Sequence, residues 1–249
     1  MLTVERRQAI LARVARDGRV VASELVASLG VSEDTVRRDL RDLAEQGLLH
    51  RVHGGALASA PAAGSFTQRL EVSHEKKAAL AEAALPLLVG ARVIVLDGGT
   101  TTLELARRLP LLYDGIVVTN SPPVASVLSD HPKAEVLLVG GRMLKDAQVA
   151  VGAVAAEGFR TVRADICVLG ICSLHPDVGV TTLDDEEAHV KRAMVASAGE
   201  VIALATADKL STASPWVVAQ LADIDHLVTD GSDELTRPYT SAGVDVVAV

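Results

Sequence analysis

Short apolar runs alternate with helical segments from residue 75 to the end of the chain, and this alternation constrains the fold more than any other feature. The runs are apolar throughout rather than alternately polar, which is typical of parallel strands buried on both faces of a sheet. The pattern predicts strands at 93–97, 116–120, 136–139, 166–170, 201–205, 226–229 and 244–249, and helices at 75–88, 150–162, 184–198 and 213–222. We therefore expect an α/β domain with a mostly parallel sheet that is covered by helices on both faces.

The first part of the chain follows a different pattern, that of three amphipathic helices and a short hairpin. Thr3 is positioned to cap a helix that ends at Gly18, and a second helix covers 22–29. Ser32 is positioned to cap a third helix at 33–46. Two helices joined by a tight turn that contains glycine, followed by a basic hairpin, predict a winged helix-turn-helix.

The third helix presents the residues that we expect to contact DNA. Val36, Leu40 and Leu43 lie on one face of this helix and predict its buried side. Arginines on the opposite face can fork onto guanine edges or bridge phosphates, and the hairpin can lie along the backbone or the minor groove. The candidate DNA-binding residues are Ser32, Thr35, Arg37, Arg38 and Arg41 of the helix and Arg51 and His53 of the hairpin.

Charge is divided unevenly between the two parts of the chain. The net charge is −8 at pH 7, yet residues 1–57 contain nine arginines against eight carboxylates and are therefore weakly basic. A balance of this size does not by itself indicate DNA binding, so the argument depends on where the arginines lie. Only 2% of the residues are aromatic, which disfavours a nucleic-acid surface built on stacked rings.

Polar residues follow several predicted strands of the α/β domain. Ligands of parallel sheets bind at the carboxyl ends of the strands, where these residues are expected to meet. Glycines in the turn at 97–102 allow a ligand to approach the backbone, and the helix that follows favours an anion at its N-terminus. Lys209 can meet a phosphate as a point charge. The candidate effector-binding residues from this pattern are Asp97, Gly98, Gly99, Thr100, Thr101, Thr102, Thr119, Asn120, Gly140, Gly141, Asp208 and Lys209.

A segment of small residues separates the two patterns. Residues 58–65 read ASAPAAGS, without periodicity and with proline and glycine, which predicts a linker. We therefore expect a winged helix-turn-helix DNA-binding domain at 1–57, a linker at 58–65, and an α/β domain for effector binding and oligomerisation at 66–249.

Two motifs of the first domain carry a resemblance to a known family. The run VSEDTVRRDL at 31–40 and the run GLLHRVHGGA at 47–56 resemble the DeoR family of bacterial repressors, and the match spans residues 6–56. Residues 66–230 also resemble the effector-binding domain of that family. The segment 179–182, Glu187 and Lys191 fit this second pattern, which adds Lys191 to the candidate effector-binding residues.

The resemblance implies a function and a fold. It implies a repressor of a carbohydrate-metabolism operon that is controlled by a phosphorylated sugar, with the α/β domain on a fold resembling ribose-phosphate isomerases. The implied partners are double-stranded operator DNA and the sugar-phosphate effector. Because two-fold operators are read by dimers, we also expect a homodimer or homotetramer.

Three other functions are weighed against this one. A sugar-phosphate isomerase with an accessory DNA-binding domain would need a carboxylate base at a strand end, for which Glu187 and Asp165 are the candidates. A dinucleotide-binding module is disfavoured because neither G-x-G-x-x-G after a strand nor G-x-x-x-x-G-K-[ST] occurs. An architectural DNA binder without a ligand would leave the α/β domain only a role in assembly.

Composition also bears on location and cofactors. No apolar run reaches the roughly 18 residues that span a bilayer, and the charged start of the chain predicts no signal peptide. Two cysteines, Cys167 and Cys172, suit a reducing compartment and are expected as small core residues. We therefore expect a cytoplasmic protein with no membrane partner, no metal and no cofactor.

Overall fold

The computed structural model describes residues 2–60 and 64–249. The first domain begins with α1 (Thr3–Asp17), β1 (Arg19–Val21), α2 (Ala22–Leu29) and α3 (Glu33–Glu45), followed by β2 (Leu49–Val52) and β3 (Gly55–Ser59). Ser32 caps α3 as predicted, since its side chain accepts a hydrogen bond from the Thr35 amide. The prediction that Thr3 caps α1 is wrong, because Thr3 lies within the helix and Leu2 occupies the cap position.

The core of the first domain explains why its helices pack together. Val36, Leu40 and Leu43 of α3 are buried as their shared face predicted, and they join Ile10 of α1 and Leu25 of α2 in one cluster. Burying a side chain of this size contributes about 1.5–3 kcal/mol. The cluster therefore fixes α3 with its arginine-bearing face turned outward.

The hairpin after α3 is the predicted wing. β2 and β3 pair antiparallel through a two-residue turn, His53–Gly54, and Gly54 has a φ of +82° that favours glycine. β3 also pairs with β1, and a Cβ atom on Gly55 would lie 2.0 Å from the carbonyl oxygen of Val20. Glycine at residue 55 therefore allows the close approach of β1 and β3.

The second domain supplies the other elements. Its first half contains α4 (Phe66–Glu71), α5 (His74–Ala84), β4 (Val93–Leu96), α6 (Thr100–Arg107), β5 (Ile116–Thr119), α7 (Pro122–Leu128), β6 (Glu135–Leu138), β7 (Arg142–Leu144), β8 (Val149–Val151) and α8 (Ala153–Arg160). Its second half contains β9 (Ala164–Gly170), β10 (Ser173–His175), β11 (Gly179–Thr182), α9 (Asp185–Ser197), β12 (Ala198–Ala205), β13 (Thr212–Ala213), β14 (Trp216–Ala219), β15 (His226–Thr229), α10 (Asp233–Ser241) and β16 (Asp245–Ala248).

The predicted parallel sheet is present. Among the described residues its order is β16-β15-β12-β9-β4-β5-β6, and every pair of neighbours runs parallel. The chain proceeds from β4 toward one edge and then returns at β9 to build the other edge. The crevice between β4 and β9 is therefore a topological switch point, where ligands of open α/β sheets bind.

Apolar side chains cover both faces of this sheet. Val95, Cys167 and Ala203 belong to the core cluster of one face, whereas Ile94 and Ile202 belong to the cluster of the other. Each of these side chains is almost fully buried. The continuous apolar runs in the sequence arise because successive residues of each strand are buried on opposite faces.

One predicted helix of this domain is absent. The helix expected at 213–222 is replaced by β13, β14 and a 3-10 helix over Leu221–Asp223. β14 pairs antiparallel with β11 in a small sheet that also contains β10. Pairing with a strand more than thirty residues away in sequence overrides the local apolar spacing, which is why the prediction is wrong.

The first residues of the predicted linker lie in a strand. β3 extends to Ser59, so residues 58 and 59 of the predicted linker lie in a strand, whereas residues 61–63 lie outside the described part of the chain. Thr212 and Ala213 of β13 pair in parallel with Ala58 and Ser59. The sheet of the wing is therefore continued by a strand of the second domain.

Candidate functional sites

The arginine-bearing face of α3 is open to solvent. Arg37, Arg38 and Arg41 are all exposed. Arg37 forms an ion pair with Glu33 at 2.6 Å, and Arg41 lies 3.8 Å from a carboxylate oxygen of Asp42. Arg38 has no ion pair among the described residues, so its guanidinium group is the most available of the three for a base edge or a phosphate.

A buried ion cluster orients this helix. Asp39 is almost fully buried in α3 and accepts hydrogen bonds from Arg6 and Arg7 of α1. Arg7 also binds Asp42. Desolvation acts to raise the pKa of Asp39, but the hydrogen bonds from the two guanidinium groups hold it below its usual value. Asp39 therefore fastens α3 to α1 and is not part of the exposed face of the helix.

The remaining candidates of this surface fall into two groups. Arg51 and His53 are exposed on the wing, His53 within its turn. Ser32 is exposed, but its hydroxyl already bonds the amide of Thr35 at 3.3 Å and lies 2.9 Å from the Thr35 hydroxyl. Thr35 itself is half-buried. The side chain of Ser32 therefore caps α3, whether or not it also contacts a phosphate.

The second site is a cavity of about 690 Å³ in the α/β domain. Its walls include Gly170 and Cys172, which end and follow β9, and the turn between β4 and α6. This position matches the switch point of the sheet. The predicted residues that line it are Gly98, Gly99, Thr100, Thr101, Lys191, Asp208 and Lys209.

The turn between β4 and α6 is tightly packed behind the cavity wall. A Cβ atom on Gly98 would lie 2.0 Å from Cγ1 of Val149, and Gly99 has a φ of +148°. Thr102 is fully buried and donates its hydroxyl to the carbonyl oxygen of Gly99 at 3.1 Å. Gly98, Gly99, Thr100 and Thr101 therefore line the cavity, while Thr102 holds the shape of the turn.

Lys191 and Asp97 form a buried pair at the base of this wall. Lys191 Nζ binds the Asp97 carboxylate, donates to the carbonyl oxygen of Gly170 at 3.0 Å and lies 3.6 Å from Glu187. Asp97 also accepts the Gly170 amide at 2.9 Å. Burial acts to lower the pKa of Lys191, but the two carboxylates raise it above its usual value. Asp97 lies behind the wall and ties β4 to β9.

Three basic side chains of the cavity wall lie close to one another. Burial, with smaller contributions from repulsion by Arg69 and Lys77, lowers the pKa of Lys209 to about 8, although Asp208 acts to raise it. Burial also lowers the pKa of Lys77, which donates to the carbonyl oxygens of Val72 and Arg69. The buried Nε of Arg69 has no hydrogen-bond partner among the described residues. Mutual repulsion and an unused donor favour an anionic ligand here.

Besides Asp97 and Thr102, four predicted residues do not line the cavity. Thr119 and Asn120 are buried at the end of β5, where Asn120 donates to the carbonyl oxygen of Ala150 at 2.7 Å. A Cβ atom on Gly141 would lie 2.7 Å from the carbonyl oxygen of Val151, and Gly140 precedes it at the start of the β7–β8 hairpin. These residues position the hairpin, whose loop brings Asp146 to the cavity wall.

Several wall residues were missed in the sequence. Arg69 and Gln68 come from α4, Lys77 comes from α5, and Asp146 comes from the β7–β8 loop. None of them follows a strand of the parallel sheet, which was the signal used to predict the site. The basic residues of α4 and α5 would have been found only by knowing that these helices pack over the carboxyl edge.

The carboxylates weighed for an isomerase do not converge in the cavity. Asp165 accepts the amides of Arg92 and Val93 at the amino edge of the sheet, opposite the cavity. Glu187 lines the cavity but accepts the Thr182 hydroxyl at 2.6 Å and lies beside Lys191. The candidacy of Asp165 as a base is therefore wrong on geometry, because its side chain closes a turn at the wrong edge.

Two general features of the described residues complete the geometry. No helix within 2–60 and 64–249 is both long and apolar enough to cross a bilayer. The same residues contain no group of three or more histidine, cysteine or carboxylate side chains placed to hold a metal ion.

Two family models match the chain. The family model described as the DeoR-like helix-turn-helix domain matches residues 6–61, and that of the DeoR C terminal sensor domain matches residues 72–231. Among solved structures, ribose 5-phosphate isomerase A from Methanocaldococcus jannaschii has a TM-score of 0.40 at 13% identity, over 55% of this chain and 54% of that chain. A likeness this low carries no argument about activity.

Curated relatives match along nearly their whole length. The HTH-type transcriptional regulator GlpR of Haloferax volcanii is 37% identical over 254 aligned residues, covering 99% of this chain and 98% of that protein. The HTH-type transcriptional repressor GlcR of Bacillus subtilis is 34% identical and covers 92% of this chain and 89% of its own. With both domain models and these relatives in agreement, the chain belongs to the DeoR family and is a DNA-binding transcriptional regulator rather than an enzyme.

Proposed function

We propose that this chain represses a carbohydrate-metabolism operon and that a phosphorylated sugar, bound in the cavity of the α/β domain, sets its affinity for the operator. The observation that carries the proposal is the meeting of the β4–α6 turn with Lys209 in one cavity at the switch point. Relatives named as a repressor and as regulators support the first half of the proposal.

The turn and Lys209 are suited to the phosphate of the effector. Backbone amides at the start of α6 are oriented donors, and the helix N-terminus adds a partial positive charge. Thr100 and Thr101 supply hydroxyl groups, and Lys209 supplies an ammonium group from a different strand end. Arg69 and Lys77 add to the positive field around the same volume.

The rest of the cavity is suited to sugar hydroxyl groups. Asp146, Asp184 and Asp208 line it with carboxylates that accept hydrogen bonds. A volume of about 690 Å³ lies within the range of small-molecule pockets. Asp97 lies behind the wall, so we assign it to the turn rather than to the sugar.

The proposal includes assembly. One winged helix contacts few base pairs, so we propose a homodimer or homotetramer that reads a two-fold operator. Leu137 and Leu138 on the edge strand β6 are exposed, as is Met143 of β7, and they provide apolar surface for association. Sedimentation as a monomer at micromolar concentration, with full operator affinity, would contradict this part.

Calorimetry on two variants tests the effector site. Thr100→Val removes a hydroxyl at similar volume, and Lys209→Ala removes the charge. Each variant is expected to bind operator like wild type and to bind three- to six-carbon sugar phosphates at least about tenfold more weakly, because a lost charge-assisted hydrogen bond is worth about 1.5–3 kcal/mol. Lys133→Ala, an exposed lysine outside the cavity wall, is the control. Unchanged sugar-phosphate affinity in both variants would refute the assignment.

A further inference from the structure

The segment 206–214, called the strap below, runs from the cavity wall to the sheet of the wing. We propose that the strap transmits effector binding to the DNA-binding domain, by passing a displacement of Lys209 through Ser211 and Thr212 to strand β3. The inference rests on the proposed function of the cavity and specifies how that site is coupled to DNA.

The first end of the strap belongs to the cavity. Thr206, Asp208 and Lys209 line its wall. Lys209 lies in a short 3-10 helix, Ala207–Lys209, and its carbonyl oxygen accepts the Thr212 hydroxyl at 2.7 Å. A ligand that draws Lys209 toward its anion therefore acts directly on the residue that begins β13.

The middle of the strap, Thr212 and Ala213, pairs with the wing sheet. Thr212 pairs with Ala58 and Ala213 with Ser59, and the Ala60 amide donates to the carbonyl oxygen of Ala213 at 3.3 Å. Ala58 is also paired with Leu49 of β2, the strand that forms the other half of the wing. Ala58 thus lies between the strap and β2, so a shift of β13 can be transmitted to β2 through Ala58 alone.

The middle of the strap is held in a strained conformation. Ser211 has a φ of +56°, a region that residues other than glycine rarely adopt. Its amide donates at 2.9 Å to the hydroxyl of the buried Tyr239, which in turn donates to the carbonyl oxygen of Leu174. A Cβ atom placed on Gly18, at the end of α1, would lie 3.0 Å from Cβ of Ser211. The strained residue is therefore clamped between the two domains.

The end of the strap is anchored beside the cavity again. Ser214 is buried, its amide donates to the Thr181 hydroxyl at 2.8 Å, and its own hydroxyl lies 2.6 Å from that of Ser173. Cys172 and Thr182, which adjoin these two partners in the chain, line the cavity. Both ends of the strap thus respond to the same ligand volume, while its middle contacts α1 and β3.

Two conservative variants test the strap. Ser211→Gly removes the strain and the Cβ atom that lies beside Gly18, and Thr212→Val removes the hydroxyl bond to Lys209 at similar volume. The quantity measured is the ratio of operator Kd values with and without saturating sugar phosphate. The probe is the member of a panel of three- to six-carbon sugar phosphates that changes the operator Kd of wild type most. Wild type is expected to show a ratio of at least about fivefold in either direction, the lower end of ordinary allosteric coupling.

Both variants are expected to bind the sugar phosphate within about twofold of wild type in calorimetry, yet to show an operator ratio below about twofold, since only the coupling is lost. Thr161→Val, which removes a hydroxyl that bonds a backbone carbonyl at the end of α8, is the matched control and should keep the full ratio. If both variants bind the sugar phosphate normally and keep the wild-type ratio of operator Kd values, the proposed role of the strap is wrong, whereas the proposed function of the cavity stands. If wild type binds no sugar phosphate of the panel, the proposed function itself fails, and the strap fails with it.

Discussion

The DNA-binding surface and the cavity both depend on basic side chains, but the two regions hold them in opposite environments. Arg38 of α3 is exposed and has no ion pair among the described residues, so its charge is fully present and is screened by salt. Lys209 lines the cavity and is half-buried, and desolvation is the main reason that its pKa is lowered to about 8. The comparison teaches that the same kind of charge responds to salt in one region and to pH in the other.

The largest effect is expected where a charge of the DNA-binding domain is buried. Asp39→Ala leaves Arg6 and Arg7 without their shared carboxylate, and removing one partner of a buried ion cluster costs about 3–5 kcal/mol. Urea unfolding of the full chain, followed by helical circular dichroism, measures the loss. Asp34→Ala, an exposed carboxylate of the same helix, is the control and should cost under about 0.5 kcal/mol. Equal stability of the two variants would show that the buried carboxylate of Asp39 contributes no more to folding than the exposed carboxylate of Asp34.

A smaller effect is expected at the exposed arginines. Arg38→Ala or Arg41→Ala should weaken operator binding by about 1–3 kcal/mol if a base contact is lost, and the dependence of affinity on salt should become shallower. Fluorescence anisotropy with labelled operator at several salt concentrations measures both quantities. Arg16→Ala, at the exposed end of α1 beside Asp17, is the control. Wild-type affinity and salt slope in both α3 variants would show that another surface reads the DNA.

The smallest effect is expected from the pH dependence of the cavity. Lys209 is charged below its folded pKa of about 8 and neutral above it. The protein is therefore expected to bind sugar phosphate more tightly below pH 8 than above it. If the bound phosphate keeps Lys209 protonated, affinity falls about tenfold, or about 1.4 kcal/mol, between pH 7 and pH 9.

Calorimetry at these pH values, in low and in high salt, checks the expected slope. Lys209→Met, which is neutral at every pH, should abolish most of it. A slope that survives in Lys209→Met would assign the titration to another group. If operator affinity in the absence of sugar phosphate depends on pH while sugar-phosphate affinity does not, the group that responds to pH lies in the DNA-binding region and not in the cavity.

The sequence predicted those features that depend on local pattern. The spacing of Val36, Leu40 and Leu43 fixes which face of α3 is buried, and Ser32 caps it, because both effects act within one or two turns of a helix. The strands of the parallel sheet were predicted to within a few residues for the same reason. The glycines after β4 were predicted to lie at the ligand edge because that position follows from sheet topology.

The remaining features depend on contacts between distant residues. Arg69 and Lys77 reach the cavity only because α4 and α5 pack over the carboxyl edge, and no local signal marks them. Asn120 and Gly141 follow strands, like the true wall residues, but their side chain and backbone are used by the β7–β8 hairpin. The pairing of β13 with β3 joins segments more than 150 residues apart, so a linker was predicted where a strand begins.

The central claim is that a phosphorylated sugar in the cavity controls the affinity of α3 and the wing for DNA. The most direct measurement is the operator Kd of wild type, titrated with each sugar phosphate of a three- to six-carbon panel and with the same sugars lacking phosphate. The account predicts a change of about 1–3 kcal/mol for at least one sugar phosphate and none for its unphosphorylated form. An operator Kd that no sugar phosphate changes, or that the unphosphorylated sugar changes equally, would contradict it.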